Sequence, residues 1–104
     1  RPVVRRAYDE VLRSYDLIAL PTVPFRARPL PPVDCSLEDL FSAAENMIGN
    51  TCQFNITGHP VINIPCGMED DLPIGLSLVG RHFEEATVIS AAEAFENIGD
   101  WKTM

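Results

Sequence analysis

Two short apolar runs, Val61-Ile-Asn-Ile64 and Ile74-Gly-Leu-Ser-Leu-Val79, do most to limit what this chain can become. Each is too short for a buried helix and each follows a Pro (Pro60, Pro73), so both read as buried strands. Between them, Met68-Glu-Asp-Asp-Leu-Pro73 has the length of a wide hairpin turn, which makes the two strands antiparallel neighbours. Their apolar side chains fall on both faces, and a sheet of that kind needs cover on both sides.

The rest of the chain supplies little cover. Val3, Val4, Ala7, Tyr8, Val11, Leu12 and Tyr15 recur at helical spacing behind Pro2, predicting a helix over residues 2–14. Asp16–Pro21 reads as another short buried strand, and the Pro-rich stretch 21–33 as an extended surface loop. Ser36-Leu-Glu-Asp39 resembles a capping box and should open a helix ending near Glu45. A helical turn through Met47–Phe54, stopped before Gly58, comes next. Glu84–Asn97 forms the last helix, with Val88, Ala91, Ala92 and Phe95 on one face and Gly99 beyond its end. The sum is α/β, with about three strands, one hairpin and three to four helices. So thin a sheet is expected to self-associate or to lean on a partner.

The 104 residues, 46% of them hydrophobic, suit one soluble globular unit. Charge is divided: residues 1–33 hold six Arg against Asp9, Glu10 and Asp16, while residues 34–104 hold twelve acids against Arg81 and Lys102. The net −7 disfavours a nucleic-acid partner, which needs clustered Lys and Arg. No apolar run approaches the roughly 20 residues of a membrane span, and Arg1-Pro-Val-Val-Arg-Arg6 does not read as a secretion leader. Lacking an initial Met, the chain reads as a piece of something longer. Cys35, Cys52 and Cys66 are odd in number and fit no metal spacing, which points to reduced thiols and a cytoplasmic location.

Catalytic chemistry is sparse. None of Ser14, Ser36, Ser42, Ser77 and Ser90 sits in the Gly-x-Ser-x-Gly context of a nucleophile elbow. A Ser–Lys pair needs a buried lysine, and the only lysine, Lys102, lies almost at the end of the chain. Cys66 in Ile-Pro-Cys-Gly reads either as a nucleophile with His59 or His82 as base, or as a small core residue at a strand end; the latter is preferred. His59 is expected to bond backbone in a turn and His82 to sit near Glu84 or Glu85. Two histidines without a companion at zinc spacing predict no metal site, and nothing predicts a cofactor.

The wording and order of the segments say more. Tyr15-Asp-Leu-Ile-Ala-Leu-Pro-Thr-Val-Pro24, Asn50-Thr-Cys-Gln-Phe-Asn-Ile-Thr-Gly-His-Pro-Val-Ile-Asn-Ile-Pro-Cys-Gly67 and Leu72-Pro-Ile-Gly-Leu-Ser-Leu-Val-Gly-Arg-His-Phe83 resemble, in order and spacing, three segments of the amidase signature family. Glu85-Ala-Thr-Val-Ile89 with Ala92-Glu-Ala-Phe-Glu96 is similar to the family's closing helix. The resemblance covers essentially the whole chain. It implies that residues 1–104 are the C-terminal part of an amidase domain and a fragment of its mixed sheet. It also implies an N-terminal remainder as partner, a small amide as substrate, and hydrolysis through a serine acyl-enzyme. A non-catalytic binding or scaffold module of amidase ancestry is the alternative.

The family's lysine and two serines lie N-terminal to the matched region, so no catalytic residue is expected here. Asp70-Asp-Leu-Pro73 replaces the family's Asp-Gly-Leu-Pro, and Ser77 stands where Gln is common. The resemblance leans towards bacterial small-amide amidases. Members acting on tRNA-bound glutamate carry an acid near the position of Ile48, and an apolar residue argues against that branch. Ile48, Asn50 and Cys52 are the expected pocket-wall residues: Ile48 and Cys52 for apolar surface, Asn50 to orient a polar group.

Overall fold

The computed structural model describes residues 2–104. Along the chain lie α1 (Pro2–Ser14), β1 (Ile18–Pro21), α2 (Leu37–Met47), α3 (Cys52–Thr57), β2 (Val61–Glu69), β3 (Leu72–Val79) and α4 (Glu85–Glu96), then a 3-10 turn at Trp101–Thr103. The three strands form one antiparallel sheet in the order β1-β3-β2. The predicted hairpin is present, with Ile62 opposite Leu78 and Ile64 opposite Leu76.

Its turn is tighter than the sequence suggested. Strand β2 continues to Glu69, and only Asp70 and Asp71 lie between paired residues, at φ 50° and 62°. Two successive left-handed residues give the primed turn whose twist matches that of the strands, and Asp tolerates that region better than most residues. The strand survives Pro65 because it lies on the sheet edge and bulges between Pro65 and Gly67. Cys66 is therefore the bulge residue of a continuing strand rather than the end of one.

Local chemistry explains the helix limits. Ser36 Oγ accepts the Asp39 N–H at 3.1 Å, capping α2, which runs two residues beyond the expected Glu45. The helical turn expected at Met47–Phe54 falls instead at Cys52–Thr57. Ile48 O accepts from both Thr51 N–H (3.1 Å) and Cys52 N–H (3.0 Å), so Ile48–Thr51 is a turn of its own. Gly58 then adopts φ 79° and donates to Phe54 O at 2.8 Å, the left-handed C-cap that glycine makes cheaply. Strand β1 begins two residues later than expected, and α4 is capped by Asn97 rather than Gly99.

One face of the sheet packs on α4: Ile64, Leu78, Val88 and Ala92 form the buried core, flanked by Leu17, Ile62, Leu76, Ala91 and Phe95. The alternate residues are mixed, since Asn63 and Ser77 share the other face with Val61 and Val79. Apolar side chains thus fall on both faces, as expected, but the second face also carries polar residues. Helices α1 and α3 pack on each other, with Tyr8 against Phe54 at a ring separation of 5.1 Å. Helix α2 buries none of its residues. Among the described residues, no helix is long and apolar enough to cross a membrane.

Candidate functional site

The polar face of the sheet opens into a cavity of about 360 Å³, in the range of small-molecule sites. Pairing sets Ser77 directly across from both Leu20 and Asn63, so the polar residue of β2 meets that of β3. Thr22, one residue past β1, completes the group: its Oγ1 hydrogen-bonds Ser77 Oγ at 2.8 Å and also Asn63 Oδ1. Ser77 is almost fully buried and needs this partner. Asn50 Nδ2 donates to Pro21 O at 2.9 Å, which ties the turn before α3 to the end of β1. Asn50, Asn55 and His59 share the cavity wall with Thr22, Asn63 and Ser77. The arrangement presents amide and hydroxyl groups suited to orienting a polar ligand. It does not make Ser77 a nucleophile, because that hydroxyl bonds to Thr22 rather than to a base.

Of the expected pocket residues, only Asn50 lines this cavity. Ile48 is half-exposed at the C-terminus of α2, and Cys52, half-buried, follows it by one turn through the Cys52 N–H bond to Ile48 O. Another cavity, of about 400 Å³, lies among residues 23–28, Met47, Pro73 and Ile74 and is mainly apolar. It touches none of the three expected residues. Thr22, Asn63 and Ser77 were not among the expected site residues, although single polar residues inside two apolar strand runs were the available signal.

The histidines are placed differently from expectation. His59 is buried, with Nδ1 bonded to Thr57 Oγ1 and Nε2 to Asp9 Oδ1, both at 2.8 Å, instead of to backbone. His82 packs against it with the rings tilted by 40° at a separation of 4.0 Å, and its Nε2 lies 3.8 Å from the same Asp9 oxygen. It is Arg81, not His82, that pairs with Glu84, at 3.2 Å. The His59 hydrogen bond holds the Asp9 carboxyl below its ordinary range, so it is ionised at neutral pH. Burial, then the neighbouring His59, pushes His82 down, so it is neutral there. The fold thus groups residues that sequence spacing keeps apart: Asp9, His59 and His82 bring their side-chain N and O atoms within 4.8 Å of one another.

Comparison with known proteins agrees with this architecture. A family model described as Amidase matches residues 1–89. The chain is 40% identical over 97 residues to an uncharacterized protein of the nthA 5′ region in Rhodococcus erythropolis, covering 93% of this chain and 49% of that protein. It is 41% identical over 95 residues to an enantioselective amidase of Rhodococcus rhodochrous, covering 90% and 18% respectively. A glutamyl-tRNA(Gln) amidotransferase subunit of Chloroflexus aggregans is 35% identical over 108 residues, covering 99% and 20%. Among solved structures, a bacterial aryl acylamidase of the amidase signature family superposes with a TM-score of 0.79 at 25% identity, over 94% of this chain and 21% of its own. The chain belongs to the amidase signature family. It spans about half the length of the first relative and about a fifth of the others.

Proposed function

We propose that this chain is the C-terminal portion of an amidase that hydrolyses small carboxylic amides to acid and ammonia or amine through a serine acyl-enzyme. The family match over residues 1–89 is the observation that supports this most. Within the complete enzyme this portion contributes sheet core and pocket wall. The nucleophile and its lysine come from the N-terminal remainder, which covers the exposed apolar side chains of α2: Leu37, Leu40, Phe41 and Met47. That remainder is the main partner, and the cytoplasm, where the three cysteines stay reduced, is the location.

In this reading Asn50 and Asn63 orient the polar end of the amide, and Ile48 offers apolar surface to the acyl chain. The chain is similar both to an amidase and to an amidotransferase component, so identity alone does not divide the two branches; the apolar Ile48 favours a simple amide. The test is ammonia release by the complete protein over a series of amides of increasing acyl length. Turnover is expected, and Ile48→Ala should change the ranking of chain lengths while leaving folding intact. An unchanged ranking with stability reduced by about 2–5 kcal/mol would make Ile48 a core residue only.

The second reading, a non-catalytic module, draws on one observation: no serine among the described residues is hydrogen-bonded to a lysine or histidine. A complete protein that turns over no amide would favour it.

A further inference from the structure

We propose that Asp9, His59 and His82 form a binding site for a divalent transition-metal ion of the Zn²⁺ class. The proposal does not require the amidase reading, although His59 also lines the polar cavity. Its three groups come from α1, from the turn before β2, and from the loop between β3 and α4, so one ion would tie together three distant parts of the chain.

Three observations converge. First, among the described residues His82 Nε2 is the one buried side-chain polar atom without a hydrogen-bond partner. A buried orphan of this kind calls for an explanation, and a bound ion is one of the few available. Second, the same carboxylate oxygen faces both imidazoles, 2.8 Å from His59 Nε2 and 3.8 Å from His82 Nε2. At bond lengths of about 2.0–2.1 Å, tetrahedral ligands of Zn²⁺ sit about 3.3 Å apart. Opening one distance and closing the other by about 0.5 Å brings this oxygen to that spacing from both imidazole nitrogens, and all three ligand atoms already lie within 4.8 Å of one another. Third, a supporting contact exists: Thr57 Oγ1 bonds the far nitrogen of His59 and fixes its ring.

Two imidazoles and a carboxylate suit Zn²⁺, Co²⁺ or Ni²⁺ better than Ca²⁺ or Mg²⁺, which take oxygen ligands. Three protein ligands leave a fourth position for water, and the Asp9 side chain, 41% exposed, marks the entry. The spacing of 50 residues from Asp9 to His59 hid the group from sequence reading.

The experiment adds Co²⁺ or Zn²⁺ alone to the chelator-treated complete protein. Binding should give the visible ligand-field bands of four-coordinate Co²⁺ without a thiolate-to-cobalt band, and Zn²⁺ should shift the Nε2 resonances of both histidines. Asp9→Asn and His82→Gln should each weaken binding by at least about tenfold, the smallest effect expected even of a supporting partner. The proposal is overturned by absence of binding, by a thiolate band that places the ion on cysteine, or by variants that bind as tightly as the parent. Should a variant fail to fold, the parent's resonances decide: unmoved Nε2 signals overturn the proposal, and shifted ones support it.

Discussion

His59 shows what one buried polar side chain demands. Both ring nitrogens are bonded to side chains, so its neighbours cannot change independently. Thr57→Val keeps the shape but removes the Oγ1 partner, leaving buried Nδ1 unsatisfied. Denaturant unfolding should show a loss of about 1–3 kcal/mol. An unchanged midpoint would mean that water replaces the threonine. The sequence places this histidine in its turn but hides its partners, because Asp9 arrives from α1, 50 residues away. Ser36 is legible for the opposite reason: the group it satisfies is three residues along the same chain.

The elements themselves are mostly readable, since local periodicity and punctuation determine them. Pro2 opens α1, and Val88, Ala91, Ala92 and Phe95 do lie against the sheet core. What fails is punctuation with two meanings. Pro65 and Gly67 suggest an end to β2, yet an edge strand can bulge around them and continue to Glu69. The polar face also escapes notice, because Asn63 and Ser77 become neighbours only through the register. Close packing between elements gives a further prediction. At Gly80 a Cβ would stand 2.5 Å from Val88 Cγ2, whereas at Gly99 the nearest atom is the Met104 Cε at 3.9 Å. Gly80→Ala should cost about 1–3 kcal/mol by forcing α4 off the sheet, and Gly99→Ala less than about 0.5 kcal/mol. Equal midpoints for the two variants in urea would contradict this packing.

At the scale of the molecule, the chain has more surface than its mass warrants. Its accessible area is 7499 Å², against about 5,800 Å² for a compact monomer of this mass. The radius of gyration of 15.9 Å likewise exceeds the roughly 13 Å of a compact domain this long. The excess of roughly 1,700 Å² is more than one partner contributes to an ordinary protein interface. Tyr15, Leu37 and Phe41 are all more than 60% exposed. Produced alone, the chain should therefore self-associate and bind a hydrophobic dye, as large apolar patches rarely persist on monomers. Light scattering that reports a stable monomer without dye binding would show that the slab is self-sufficient.

The central claim is that this portion walls a pocket whose nucleophile lies elsewhere. It is tested most directly by quenching the complete protein during turnover of an amide and locating the acylated serine by peptide mass spectrometry. The acyl group is expected on a serine outside these 104 residues, with Ser14, Ser36, Ser42, Ser77 and Ser90 all unmodified. An acyl group on any of those five, lost when that serine is replaced by alanine, would contradict the claim.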